Sequence, residues 1–197
     1  LMLCVSDDTA VENVLFGPHG AASALQPGSV VVDCSTIAPS TAMDCAERLG
    51  RKGVNYLDAP VTGGTEGAKA GTLTLLVGGE KDALERVRPL LEVIGGTIHH
   101  FGRVGRGQQV KAVNQVLVAG SYAAVAEAMA LGERLDLPMD QVVEALRGGA
   151  AGSWALEHRA PGMLRGAYPL GFRLALHHKD LGTVSYTHLT LPTSHCV

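Results

Sequence analysis

The pattern of the chain changes near residue 105, and that change limits its fold more than any other feature. Up to about residue 102, strand-like runs at about 1–5, 29–35, 55–61, 72–78 and 97–101 alternate with segments at 9–16, 39–50 and 80–94 whose apolar residues recur at three- and four-residue steps. Such alternation predicts an α/β layer with a mainly parallel sheet, because a helix must carry the chain from each strand to the next. In "KDALERVRPLLEVIGG", Leu84, Val87, Leu90, Leu91 and Ile94 share one face, and Gly95-Gly96 is expected to stop the helix. From Gln108 the alternation ends. "VKAVNQVLVAGSYAAVAEAMALGERL" runs for some twenty-five residues without a strong breaker, and between Val116 and Leu131 its only charge is Glu127. A helix that is small and apolar on nearly every side is expected to be buried, and Asn114, Gln115, Ser121 and Glu127 interrupt it too often for a bilayer span. It reads as a central helix leading into an all-helical second domain that continues through 138–148 and 153–165.

Composition excludes several partners. A net charge of -3 with dispersed Lys and Arg provides neither the basic stripe that nucleic acid needs nor a polybasic membrane patch. Cys4, Cys34, Cys45 and Cys196 have neither C-x-x-C spacing nor a disulfide framework, which fits reduced thiols and a cytoplasmic location. The opening "LMLCV" has no charged n-region or cleavage site and reads as a buried strand rather than a signal peptide.

The segment "DAPVTGGTEGAKAGTLTLLVGG", residues 58–79, sets Thr62-Gly63-Gly64 directly after an apolar strand. Two glycines there let backbone N–H groups approach an anion with no Cβ in the way. A Gly-rich connection between two strands of one sheet fits the same residues. "GRVGRGQQVK" imitates a dinucleotide turn, but its order is G-x-x-G-x-G and the same helix still runs twenty residues later, so it reads as the domain junction. Lys111 lies one turn into that helix with Asn114 and Gln115 on the same face. A desolvated ammonium loses affinity for its proton and can act as an acid or base near neutral pH. His99-His100 and His177-His178 lack carboxylates at ligand spacing, so no metal site is expected. Asp7-Asp8 reads as a turn and helix N-cap, and Lys179-Asp180, on spacing alone, as an ordinary exposed ion pair.

Three motifs in order carry a resemblance. "DAPVTGGTEGAKAGTLTLLVGG", then Gly105, Gly107, Gln108, Lys111, Asn114 and Gln115 as G-x-G-Q-x-x-K-x-x-N-Q, then "GFRLALHHKDL", resemble the β-hydroxyacid dehydrogenase family over residues 1 to 182. The resemblance implies a Rossmann-like α/β nucleotide-binding domain over 1–104, with its N-terminal half missing, followed by an all-α domain over 105–182, with its C-terminal part missing. It implies NAD or NADP as cofactor and a small-molecule carboxylate as substrate, with tartronate semialdehyde reduced to glycerate as the first expectation and 3-hydroxyisobutyrate oxidation as the alternative. A non-catalytic binding or oligomerisation module on the same fold is the alternative of another class. Lys111 and Asn114 take catalytic positions by this resemblance, Thr62, Gly63, Gly64 and Gln115 substrate-binding ones, and Thr36, Lys179, Val5 and Ser6 cofactor-binding ones. Gln115 stands where many members carry asparagine.

The family's strand, G-x-G-x-x-G turn and helix for pyrophosphate are not found in the sequence, so the chain by itself is expected to bind no nicotinamide cofactor usefully and to be inactive. The apolar surface that a truncated domain leaves predicts a homo-oligomer. Residues 184–193 resemble the in-frame translation of a transposon adapter used in sequencing libraries, so 183–197 is expected to be a non-native tail.

Overall fold

The computed structural model describes residues 1–168 and 171–187. Among the described residues two compact units emerge, one formed by residues 1–114 and 172–187, the other by 115–168 and 171. In the first unit, strands β1 (Met2–Leu3), β2 (Val30–Asp33) and β3 (Asn55–Asp58) form a parallel sheet in that order. All four residues of β2 are buried. Val31 packs with Val11, Leu15, Leu49 and Tyr56 on one face, while Val30 and Val32 pack with Leu57, Leu75 and Leu84 on the other. Burial on both faces is why the strand is a continuous apolar run rather than an alternating one.

Helix α1 (Asp8–Phe16) starts as expected at Asp7, whose carboxylate accepts from the Ala10 amide at 2.8 Å. Helix α2 (Pro39–Gly50) opens with proline at its first position, where no amide is needed for the helix, and matches its sequence boundaries. The glycine-rich segment departs from expectation. A strand β4 (Val61–Thr62) leads into a helix α3 (Gly64–Ala70), which Gly71 ends in the left-handed region before strand β5 (Leu73–Val77). Two internal glycines hide that helix from propensity reasoning. Strand β4 runs antiparallel to β5, and β5 runs parallel to β6 (Gly95–His100), giving a second three-stranded sheet.

Gly95-Gly96 also departs from expectation. Helix α4 (Lys81–Leu91) has already ended, and both glycines belong to β6. A Cβ on Gly95 would lie 2.8 Å from the Leu73 carbonyl oxygen, so Gly95 serves close strand approach instead of stopping a helix.

Helix α5 (Arg106–Arg134) is the long helix. The expected all-round burial is not observed. Its buried positions form one stripe at three- and four-residue steps, including Gln108, Lys111, Gln115, Val125 and Met129, whereas Val113 and Leu117 are 62% and 68% exposed. Composition reports what a helix could bury, and this chain covers one stripe of it. By length and mean hydropathy alone, α5 is apolar enough to cross a membrane, a test that core helices of soluble proteins also pass.

In the second unit, Val125 and Met129 of α5 pack with Ala155 and Leu156 of α7 (Trp154–His158) and Ala160 of α8 (Ala160–Leu164), beside Met139 and Val143 of α6 (Met139–Leu146). The helical run expected over 153–165 is thus two short helices. Helix α9 (Leu174–Thr187) returns to the first unit. It includes the first residues of the suspected tail, the rest of which, with Cys196, lies outside the described residues.

Candidate active site

The site is built where β3, β4 and the start of α5 converge. Asp58, the last residue of β3, is fully buried and exchanges backbone hydrogen bonds with Gly78, joining the two sheets. Its carboxylate accepts from the Gly105 amide at 2.8 Å and the Gln108 amide at 2.9 Å, anchoring the first turn of α5. A Cβ on Gly107 would lie 2.2 Å from the Leu76 carbonyl oxygen and 2.7 Å from that of Asp58, and one on Gly78 would lie 2.5 Å from Asp58 Oδ1. Gly107 and Gly78 therefore let the helix start seat on the strands. Burial pushes the Asp58 carboxyl up to about 6, against the pull of the Gly105 and Gln108 amides.

From that anchored start, Lys111 is carried inward. It is 9% exposed, and its Nζ donates to the Val61 carbonyl at 2.8 Å, one residue before Thr62-Gly63-Gly64. Burial is the main cause that lowers its pKa from the ordinary 10.5; the Asp180 carboxylate opposes the shift and the Lys179 ammonium adds to it. One turn further, Asn114 Oδ1 accepts from the Thr62 hydroxyl at 3.2 Å. Gly63 and Gly64 have φ of +127° and +67°, conformations that side-chain-bearing residues rarely adopt. Lys111, Asn114, Thr62, Gly63 and Gly64 thus come together. Gln115 is buried at 3% exposure and begins the second unit.

A second group gathers at the carboxyl ends of β1 and β2. The Val5 amide donates to Ser35 Oγ at 2.9 Å, and Ser6 Oγ donates to Asp7. Lys179, from α9, donates to the Thr36 carbonyl at 2.5 Å and lies 3.0 Å from Asp180. The ion pair expected there forms, but it is not the ordinary exposed one, since Asp180 is only 3% exposed. Sequence reasoning also missed the structural roles of Asp58 and Gln108. A charged residue closing the apolar run "NYLDAP" was the available signal. No cluster of three potential metal ligands occurs among the described residues.

Comparison with known proteins places this geometry in a family. Residues 1–102 match the profile of the NAD binding domain of 6-phosphogluconate dehydrogenase, and residues 105–191 that of the NAD-binding domain of NADP-dependent 3-hydroxyisobutyrate dehydrogenase. The chain is 41% identical over 173 residues to 2-(hydroxymethyl)glutarate dehydrogenase of Eubacterium barkeri, covering 87% of this chain and 58% of that protein. It is 40% identical over 181 residues to 2-hydroxy-3-oxopropionate reductase of Escherichia coli, covering 92% of this chain and 62% of that protein. The crystal structure of a 3-hydroxyisobutyrate dehydrogenase from Salmonella typhimurium matches 98% of this chain with a TM-score of 0.88 at 34% identity, over 68% of its own length. The chain therefore spans only 58% and 62% of the length of these two relatives. A Rossmann-like domain followed by a helical one, matched along both parts, makes this chain a member of the β-hydroxyacid dehydrogenase family.

Proposed function

We propose that the chain supplies the substrate-facing and nicotinamide-facing residues of a cytoplasmic NAD(P)-dependent oxidoreductase that reduces tartronate semialdehyde, 2-hydroxy-3-oxopropionate, to glycerate. The observation that carries this reading is the buried Lys111 ammonium bonded at 2.8 Å to the residue preceding Thr62-Gly63-Gly64. The amides of Gly63 and Gly64 receive the substrate carboxylate. Thr62 keeps Asn114 in place through its hydroxyl, so that Asn114 orients the remainder of the substrate.

Bound reduced nicotinamide supplies the hydride. The aldehyde carbon gains that hydride, its oxygen takes a proton from Lys111, and the neutral amine is reprotonated from solvent. In the reverse direction the amine accepts the alcohol proton. Burial makes the ammonium a better proton donor than a solvated lysine, and the Asp180 carboxylate opposes that shift. No metal is required in this scheme, since lysine and amides handle the developing charge.

The carboxyl edge of the parallel sheet, where β1 and β2 end in loops, fits the nicotinamide end of a dinucleotide. The Lys179 ammonium held over the Thr36 carbonyl, with Val5 and Ser6 beside the loop, forms a polar cradle there. Exposed Val113 and Leu117 on α5 support a homo-oligomer as the assembled form.

The two relatives named for 2-hydroxy-3-oxopropionate and 2-(hydroxymethyl)glutarate, and the structure named for 3-hydroxyisobutyrate, share a carboxylate with an oxidisable or reducible group two carbons away. The complete gene product should be assayed on tartronate semialdehyde, 3-hydroxyisobutyrate and 2-(hydroxymethyl)glutarate with each nicotinamide. The reading expects the highest kcat/KM for tartronate semialdehyde. Preference for 3-hydroxyisobutyrate would move the assignment within the same chemistry, and turnover of none of them would overturn it. Full biological effect with Lys111→Ala would favour a non-catalytic module.

A further inference from the structure

The loop after β2 is held by bonds from several distant parts of the first unit. The Ser35 amide donates to Asp33 Oδ1 at 2.9 Å and the Ala38 amide to Asp8 Oδ1 at 2.9 Å. Lys179 takes the Thr36 carbonyl. Two further bonds come from one side chain. Gln108 Nε2 donates to the Ser35 carbonyl at 2.8 Å, and Gln108 Oε1 accepts from the Ile37 amide at 3.3 Å. Its carboxamide thus grips the backbone on both sides of Thr36.

Gln108 is itself fixed. Its backbone amide is bonded to Asp58, its side chain is 2% exposed, and Lys111 follows three residues later on the same helix. A buried carboxamide with one donor and one acceptor engaged on a loop 71 and 73 residues away in sequence defines a position more narrowly than apolar packing does. We propose that Gln108 is a positioning residue that locks the Thr36 loop in register with Lys111, so that the cofactor-contacting backbone and the proton donor are set by one rigid helix turn.

This rests on the enzymatic reading above. The test therefore has two arms. In the 197-residue chain, amide hydrogen exchange is compared between wild type and Gln108→Leu, which is similar in size but makes neither bond. Faster exchange confined to residues 34–38 is expected; unchanged exchange there overturns the clamp. In the complete gene product, Gln108→Leu should raise the KM for the nicotinamide cofactor about tenfold, as loss of two buried hydrogen bonds implies. The kcat at saturating cofactor and the substrate KM should stay within about threefold. Gln108→Glu, which keeps the acceptor for Ile37 but faces the Ser35 carbonyl with an oxygen, should show the same split. An unchanged cofactor KM, or a parallel loss of kcat, both KM values and Tm, would make the residue merely structural and overturn the proposal. If wild type turns over neither nicotinamide, the proposal falls with the enzymatic reading, and fast exchange at 34–38 in the variant would show that the clamp itself was correctly seen.

Discussion

The two ends of α5 follow different rules. Its first turns bury polar groups: Gln108, Lys111 and Gln115 are 2%, 9% and 3% exposed. Farther along, the buried large residues are the apolar Val125 and Met129, while Leu117 before them and Leu131 after them are mostly exposed. Burying an amide or an ammonium costs more than burying a methyl group unless each polar atom finds a partner, and the first turns meet that cost with bonds to Asp58, Ser35, Ile37 and Val61. The apolar end needs only neighbours of suitable shape. A helix of one continuous secondary structure therefore carries the buried polar groups proposed for the chemistry at one end and scaffold at the other, and its overall hydrophobicity does not separate them.

Substitutions can break that contrast, beginning with the largest expected effect. Lys111→Ala in the complete gene product should lower kcat/KM by about a thousandfold, the scale of a lost general acid, with Tm not reduced. A loss of less than tenfold would remove the lysine from the chemistry. Met129→Ala should do the opposite, lowering unfolding free energy by about 2–4 kcal/mol in denaturant titration through the cavity it leaves, with KM unchanged. A kinetic effect larger than the stability effect would show the two ends to be less separable than proposed. Asn114→Ala should cost about tenfold in kcat/KM, the worth of one well-placed hydrogen bond, and leave Thr62 without its acceptor. In the dilute, dissociated chain, Leu117→Gln should change stability by no more than about 0.5 kcal/mol, as for an exposed site. A larger loss that depends on protein concentration would show that a second copy covers this face.

How far the sequence reveals this follows from the range of the interactions involved. Helix α2 was readable to the residue because its signals are local: Pro39 at the start and Ala42, Cys45 and Leu49 on one face. Helix α1 was readable for the same reason, through Asp7. Lys111, Thr62 and the two glycines were legible because their types and spacing form a motif, although periodicity alone left two readings of the glycine segment open. Helix α3 was not, because Gly64 and Gly67 are poor helix formers and the element is held by its flanks. The parts played by Asp58 and Gln108 were not legible either, since their partners lie 47 to 73 residues away in sequence and no local pattern records such a bond.

The central claim is that Lys111 is held out of water beside Thr62-Gly63-Gly64, and direct titration of its Nζ by nitrogen-detected NMR in the 197-residue chain tests it. A base whose folded pKa is depressed binds its proton less tightly when folded, so it destabilises the fold below that pKa and the cost is relieved as pH rises towards the ordinary 10.5. A midpoint clearly below 10.5 is expected, accompanied by a rise in stability with pH, of at most about 1.4 kcal/mol per pH unit, that is absent in Lys111→Ala. A midpoint at or above 10.5, with no difference in pH dependence between wild type and variant, would contradict it.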